Sequence, residues 1–171
     1  MRNVWQIIGF SNSGKTSLVE NLLERADKQN KRVATIKHHG HGKNLTVLDT
    51  GKDSWRHREA GAIGSAVVAN KTLQLQVTSQ VTWQVEDILL FYKQLNLDAV
   101  VIEGYKQENY LKIAIVRKQA DMVLINEVTN IKALVVWDGL HVPVEFKGSV
   151  FGINEVEQIA MWLFDQWEEQ V

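Results

Sequence analysis

The stretch that decides the fold is Gly9-Phe10-Ser11-Asn12-Ser13-Gly14-Lys15-Thr16, which has the spacing G-x-x-x-x-G-K-[ST]. Loops of this pattern cradle nucleotide phosphates, because glycine lets the backbone curl until successive N–H groups face anionic oxygens. The lysine of such a loop reaches the outer phosphates, and the hydroxyl after it ligates Mg²⁺. Lys15 is therefore a predicted catalytic residue as well as a phosphate ligand. The predicted nucleotide-binding set is Gly9, Ser11, Asn12, Ser13, Gly14, Lys15, Thr16 and Ser17.

The residues on either side of this loop predict a strand before it and a helix after it. Val4-Trp5-Gln6-Ile7-Ile8 is typical of a buried strand. Apolar residues then recur at helical spacing from Leu18 to Ala26, which predicts a helix from Gly14 to about Asn30. The N-terminus of that helix would face the phosphates. Strand, glycine loop and helix thus stand in the order of a phosphate-binding unit.

Composition places the chain among ordinary globular proteins. Its 171 residues are 45% hydrophobic and 23% charged, which predicts a single domain over residues 1–171. A formal net charge of −1 gives no long-range attraction to nucleic acid or to an anionic membrane. There is no cysteine, so disulfides, thiolate metal sites and cysteine nucleophiles are excluded. No secretory signal is apparent and no apolar run approaches about 18 residues, so we expect a soluble, cytoplasmic protein.

Further apolar runs predict a parallel sheet with helices between its strands. A second strand at Val33-Ala34-Thr35-Ile36 completes a βαβ unit, whose two strands are expected to be parallel. Alternating apolar and polar residues over 72–78 predict the second strand of an antiparallel edge hairpin that turns at Asn70-Lys71. We therefore predict a P-loop NTPase-like α/β fold, with a mostly parallel, doubly wound sheet and helices on both faces. The other predicted elements are helices over 53–61, 85–95 and 154–167, strands over 66–69, 98–102, 111–116 and 133–137, and either a strand or a loop over 120–130.

Two carboxylates are candidates for holding Mg²⁺ together with Thr16. Glu103 ends the apolar strand Ala99-Val100-Val101-Ile102, where P-loop proteins place an acid opposite the loop hydroxyl. Asp49 lies in a long loop after the second strand, where a switch segment could supply a metal contact or position an attacking water. We therefore predict Thr16, Glu103 and Asp49 as metal ligands, with Asp49 also catalytic.

Other polar residues near predicted strand ends leave several roles open. Three neighbouring histidines, at 38, 39 and 41, could chelate Zn²⁺ or Ni²⁺, or could contact substrate or pack the loop. Lys37 and Lys106 follow strand ends on one edge of the sheet and could contact an anion, or could be plain surface lysines. A third group of cations could bind a second anion or could form a solvated helix face. This group comprises Lys52, Arg56, His57 and Arg58.

Four segments together resemble the MobB family, the adaptor proteins of molybdopterin-guanine dinucleotide biosynthesis. They are G-F-S-N-S-G-K-T at 9–16, T-I-K-H-H at 35–39, T-G-K-D-S-W-R-H-R-E-A-G-A at 50–62 and V-V-I-E-G-Y-K at 100–106. The resemblance implies a homodimer that binds GTP with Mg²⁺ and hydrolyses it weakly. It also implies partners, namely molybdopterin and the guanylyltransferase that attaches GMP to it.

Two other functions remain open beside this one. The first is an ATP-dependent kinase or ligase of the dethiobiotin-synthetase type, in which Lys37 and the cations over 56–58 would hold a small anionic acceptor. The second is a nickel-type metallochaperone GTPase, which the histidines at 38, 39 and 41 suggest. For the GTP-binding adaptor we expect slow hydrolysis, as in a switch GTPase without its partner, unless Arg56 or Arg58 acts in trans. The kinase or ligase would instead show rapid phosphoryl transfer to a small molecule.

Overall fold

The computed structural model describes residues 3–40 and 45–168. Two compact units divide the chain, one formed by Met1–Gly40 with Ile88–Val171 and the other by His41–Asp87. The single domain over residues 1–171 stays a prediction. In chain order, the elements are β1 (Val4–Gly9), α1 (Lys15–Lys28), β2 (Val33–Lys37), α2 (Asp53–Glu59), β3 (Gly64–Ala69), β4 (Thr72–Val77), α3 (Val85–Tyr92), β5 (Ala99–Glu103), β6 (Leu111–Val116), a 3-10 helix (Gln119–Val123), α4 (Leu124–Glu127), β7 (Ile131–Val136), β8 (Ser149–Gly152) and α5 (Val156–Glu168).

The first unit is built on a six-stranded sheet in the order β2-β5-β1-β6-β7-β8, and all neighbouring strands are parallel. Successive side chains of a strand point to opposite faces. Trp5 and Ile7 of β1 therefore enter a core with α1 and α5, whereas Ile8 enters a second core with Met122 and Leu124. The predicted α/β fold with a parallel sheet and helices on both faces is confirmed. Within the described residues, we find no helix that is long and apolar enough to cross a membrane.

Packing of α1 fixes the start of this helix, and with it the end of the glycine loop. Its buried stripe contains Leu18, Val19, Leu22 and Ala26, as the helical spacing predicts. Burying a leucine side chain stabilises a fold by roughly 1.5–3 kcal/mol. The helix begins at Lys15, so this packing holds Lys15 and Thr16 in place at the C-terminal edge of the sheet.

The connection from β5 to β6, residues 104–110, is short and carries no helix. It passes over β1, because β5 and β6 lie on opposite sides of that strand. Gln6 of β1 donates from Nε2 to the carbonyl oxygen of Tyr105 at 2.7 Å, and Lys112 Nζ donates to two carbonyl oxygens of the same segment. Both side chains are fully buried, and this burial lowers the pKa of Lys112. These bonds hold in place the segment that directly follows Glu103.

Two parts of the first unit differ from the sequence-based expectation. Residues 120–130, expected as strand or loop, are mostly helical, with a 3-10 helix followed by α4. The reason is that the carboxylate of Asp121 accepts bonds from the backbone N–H groups of Arg117 and Lys118, both at 3.1 Å, and so caps a helical turn. The pattern also does not predict β8, whose four residues are too few to show a period.

The second unit contains α2 and the predicted antiparallel hairpin of β3 and β4. The hairpin turns at Asn70, which adopts the left-handed conformation with φ 50° that asparagine tolerates. The prediction that it forms an edge of the parallel sheet is wrong, because among residues 3–40 and 45–168 β3 and β4 pair with each other as a separate two-stranded sheet. A hairpin alone is marginally stable, and here α2 packs against β3 within the same unit.

Candidate functional site

The loop between β1 and α1 has a backbone that only its glycines allow. A Cβ atom at Gly9 would lie 2.5 Å from Ser13 Oγ and 2.8 Å from the carbonyl oxygen of Ile115, so a larger residue does not fit. Gly14 has a left-handed φ of 102° and is the N-cap residue of α1, where no side chain caps the helix. The first N–H groups of a helix have no acceptor within it. This loop therefore offers a cradle of backbone donors suited to phosphate oxygens.

Two side chains at neighbouring strand ends hold the loop from the outside. Trp137 donates from Nε1 to the carbonyl oxygen of Ser13 at 3.0 Å, and Arg117 donates from Nη1 to that of Asn12 at 2.6 Å. The Arg117 guanidinium also lies 4.9 Å from the centre of a Trp137 ring. Neither residue was a predicted site residue. Their signal is position, since each directly follows a buried strand, β6 or β7, and so lies at the same edge of the sheet as Glu103.

The charge at the loop is strongly positive even though the whole chain is nearly neutral. Lys15 Nζ donates to the carbonyl oxygen of Phe10 at 2.7 Å. Burial lowers the pKa of Lys15, the charge of Glu103 raises it, and the charges of Lys106 and Lys37 lower it further. The Lys106 ammonium lies 3.8 Å from the centre of the Phe10 ring. A group of three ammonium ions around one carboxylate suits a polyanion such as a triphosphate.

Thr16 and Glu103, the two predicted Mg²⁺ ligands of the first unit, lie in direct contact. Thr16 Oγ1 donates to Glu103 Oε1 at 2.9 Å, although the two residues are far apart in the chain. Lys37 Nζ lies 2.9 and 3.0 Å from the two carboxylate oxygens and 3.2 Å from Thr16 Oγ1. Hydroxyl and carboxylate oxygens are the donors that Mg²⁺ takes in nucleotide sites, so these residues fit that metal.

Asp49, the third predicted metal ligand, lies in the second unit and is engaged there. Its Oδ1 accepts from Arg58 Nη2 at 2.5 Å, and its Oδ2 accepts from Arg58 Nη1 at 2.9 Å and from Ser54 Oγ at 2.5 Å. Arg58 also donates to Ser65 Oγ. These bonds lower the pKa of Asp49 to about 2. A metal ion at this carboxylate would have to compete with Arg58.

This ion pair predicts a pH dependence of stability. Asp49 has a pKa of about 2 in the folded protein and about 3.9 in an unfolded chain. Its contribution to the free energy of unfolding should therefore be complete above about pH 4 and should disappear as the pH falls toward 2. Thermal unfolding of the wild type and Asp49→Asn between pH 2.5 and 5 should show a difference that shrinks as the pH falls.

The matched control for this experiment is Asp53→Asn. The Asp53 side chain is 90% exposed and lies 3.6 Å from Arg56, so the difference between wild type and this variant should change little with pH. A constant difference between wild type and Asp49→Asn across the range would show that the Asp49 ion pair does not act as described.

The other cations of the second unit are not equally available. Arg58 is held by Asp49, and its side chain is only 10% exposed. The Arg56 side chain is 72% exposed, and its contact with Asp53 is long, at 3.6 Å. Of the two arginines that could act in trans, Arg56 is therefore the more accessible.

The histidine cluster gains no support as a metal site. The His38 ring packs against the Tyr105 ring, with 4.5 Å between centroids. Among residues 3–40 and 45–168, no group of three or more histidine, aspartate or glutamate side chains is arranged to hold a metal ion. The predicted role of His39 stays open, and His41 lies outside the described residues.

A glycine loop between a central strand and a helix, facing an acid at the end of the adjacent strand, defines a P-loop NTPase-like α/β protein. Within this class, the sequence matches one particular family. The chain belongs to the MobB family, whose model, described as molybdopterin guanine dinucleotide synthesis protein B, matches residues 4–137.

Known relatives agree with this assignment. The chain is 38% identical over 130 residues to the probable molybdopterin-guanine dinucleotide biosynthesis adapter protein of Bacillus subtilis, a match that covers 76% of this chain and 73% of the relative. Among solved structures, the MobB homologue of Bacillus stearothermophilus superposes with a TM-score of 0.78 at 32% identity, covering 98% of this chain and 99% of that one. Bacillus subtilis MobB superposes with a TM-score of 0.80 at 28% identity, covering 96% and 97%.

Proposed function

We propose that the protein is a GTP-binding adapter in the biosynthesis of molybdopterin guanine dinucleotide, the nucleotide form of the molybdenum cofactor. In this role it assists the guanylyltransferase that joins GMP to molybdopterin. The observation that carries the nucleotide part is the glycine loop that faces Glu103 among three lysines. Family membership and the adapter names of the relatives support the pathway. We place the protein in the cytoplasm, where GTP is made.

Within this function, Mg²⁺ would be held by Thr16 and Glu103, and Asp49 stays a proposed third ligand. The metal would neutralise charge on the phosphate oxygens. Lys15 would contact the outer phosphates, and the N–H groups at the start of α1 would bind the inner ones. We propose that hydrolysis is slow unless an arginine enters in trans, for which Arg56 is more accessible than Arg58.

The nucleotide preference is tested by competition against a fluorescent GTP analogue in the presence of Mg²⁺. We expect GTP to displace the analogue at least about tenfold more effectively than ATP, a difference of about 1.4 kcal/mol. Removing Mg²⁺ with EDTA should weaken the binding of both nucleotides. A preference for ATP, with rapid phosphoryl transfer to a small molecule, would instead support the kinase or ligase function.

The proposed homodimer rests on the hairpin of the second unit. Val68 pairs with Leu73, and Ala66 pairs with Leu75, so these side chains form an apolar ladder on one face of the hairpin. Val68 is 72% exposed and Leu73 is 62% exposed. A two-stranded sheet with such a face gains stability by covering it. We propose that a second copy of the chain covers it.

The ladder predicts the effect of single substitutions on assembly. Leu73→Asp would place a carboxylate in the buried interface, so its dimer should dissociate at least about tenfold more readily. Sedimentation velocity over a range of concentrations measures this. Gln74→Asp is the matched control, because Gln74 is the next residue on the same strand but points to the opposite face. Equal effects of the two substitutions, or none, would contradict the proposed interface.

A further inference from the structure

Lys37 occupies a position between the two residues that would hold the metal. Its ammonium lies within 3.2 Å of three oxygens, namely both carboxylate oxygens of Glu103 and the hydroxyl of Thr16. Those oxygens belong to both first-unit residues that would ligate Mg²⁺ in the proposed function. A metal ion bound to these oxygens would lie close to the Lys37 ammonium, and two cations this close repel each other strongly at a partly buried site. Lys37 in this position therefore opposes metal binding at the same oxygens.

The pairing of β2 with β5 places Lys37 beside Glu103. Lys37 is the last residue of β2, Glu103 is the last residue of β5, and the two are direct partners in the parallel register. Partner residues of neighbouring strands point to the same face. Thr16 lies in the first turn of α1, which its buried stripe holds in place. Regular secondary structure thus anchors all three residues, Lys37, Glu103 and Thr16.

Lys37 and Glu103 differ in burial, and this difference indicates which of the two side chains can move away. The Glu103 side chain is only 12% exposed, so its charge needs a cation beside it. The Lys37 side chain is 57% exposed on a flexible stem, so it can leave toward solvent without breaking the fold. We propose that Lys37 is the resident counter-ion of Glu103, and that it gives up this position to Mg²⁺ when a triphosphate binds.

This exchange couples the binding of the metal ion to the binding of the triphosphate. A metal ion without phosphate must displace the ammonium, which then has no anionic partner, so binding is weak. When a triphosphate is present, the displaced ammonium gains phosphate oxygens beside Lys15, and the metal binds more readily. By thermodynamic reciprocity the metal must also strengthen phosphate binding by the same factor. Lys37 is thus a positioning residue that links metal binding to triphosphate binding.

The inference rests on the metal site of the proposed function and is tested with Mn²⁺, whose free ion is measured by electron paramagnetic resonance. Without any phosphate, Lys37→Met should bind Mn²⁺ about tenfold more tightly than the wild type, because the competing ammonium is gone. Lys37→Arg keeps a cation at this position and should remain within about twofold of the wild type. With inorganic tripolyphosphate added, the advantage of Lys37→Met should disappear. Thermal unfolding confirms that each variant is folded.

Two further variants separate the explanations. Lys106→Met removes a lysine whose charge, like that of Lys37, lowers the pKa of Lys15. The Lys106 ammonium lies over the Phe10 ring, so this variant should change the Mn²⁺ affinity by less than about twofold. Glu103→Gln should lose most of the Mn²⁺ binding. An increase in Lys106→Met as large as that in Lys37→Met would overturn the inference, since removal of any nearby positive charge would then suffice.

The remaining outcomes distinguish the inference from the proposed function. If wild type and Lys37→Met bind Mn²⁺ equally and Glu103→Gln does not bind it, the metal site stands and the role of Lys37 is wrong. If no variant binds Mn²⁺, with or without tripolyphosphate, the metal site of the proposed function fails and the inference fails with it.

Discussion

Lys15→Met should weaken the binding of Mg–GTP by about 10- to 100-fold, which corresponds to about 1.4–2.8 kcal/mol. A hydrogen bond from a charged group contributes about 1.5–3 kcal/mol, and methionine retains the apolar stem without the ammonium. In the protein itself, Lys15 is half-buried and its ammonium donates to the Phe10 carbonyl oxygen, a contact whose loss costs only about 1 kcal/mol, so the melting temperature should change little. Isothermal titration with GTP and Mg²⁺ measures the affinity, and a thermal melt measures the stability.

The matched control is Lys28→Met, in the last turn of the same helix. Lys28 is exposed and lies at the end of α1 opposite to the loop, so this variant should bind GTP like the wild type. Equal affinity of Lys15→Met and wild type would remove the phosphate loop from the proposed function. Equal losses in both variants would show only a general effect of charge.

Gly9→Ala should destabilise the protein by about 2–6 kcal/mol and should also abolish tight nucleotide binding. Its Cβ atom would overlap the carbonyl oxygen of Ile115 and the side chain of Ser13, and the backbone at Gly9 has φ 156°. Overpacking costs about 1–3 kcal/mol, and backbone strain adds about 1–3 kcal/mol. Any relaxation must displace Ser13, which lies inside the cradle. Unfolding in denaturant measures the first effect, and GTP titration measures the second.

Gly152→Ala provides the comparison for this prediction. Gly152 also lies at the C-terminal end of a strand, β8, but a Cβ atom there would meet nothing nearer than 3.5 Å and its φ is not left-handed. We expect its free energy of unfolding to stay within about 0.5 kcal/mol of the wild type. Similar losses in the two variants would indicate that any alanine at this edge of the sheet is harmful, and that the close approach at Gly9 is not the cause.

The local signals in the sequence are reliable where one element dominates. The strand before the loop, the helix after it and the strand that ends in Glu103 all form as the apolar patterns predict. The loop spacing also correctly predicts that Thr16 faces Glu103, since parallel strands bring their carboxyl ends together. The roles of these residues in binding nucleotide and metal stay predictions.

Local signals fail where distant residues decide the outcome. The helical turns within 120–130 depend on the Asp121 carboxylate and on burial of Met122 and Leu124 against the sheet. The hairpin has the predicted antiparallel pairing, but its alternating pattern cannot say which strand it will pair with. A period of two predicts that one face of a strand will be covered, and it does not identify what covers that face.

Side-chain contacts that hold the loop also come from the tertiary structure. Arg117 and Trp137 reach the loop from the ends of β6 and β7, more than a hundred residues further along the chain. The partner of Asp49 also could not be predicted from the sequence. This loop acid, which the sequence suggests as a metal ligand, accepts hydrogen bonds from Arg58. Partners of this kind cannot be identified until the strand order and the turns are known.

By itself, the sequence determined the geometry of the glycine loop and its place between β1 and α1, because the conformations of Gly9 and Gly14 are set by the local backbone. It also determined the class of fold, through strand and helix periods that burial enforces locally. Only the tertiary structure decided which charges meet. Lys37 and Glu103 are 66 residues apart and become partners because β2 is placed beside β5 in register. That placement depends on the packing of both sheet faces, which no local pattern encodes.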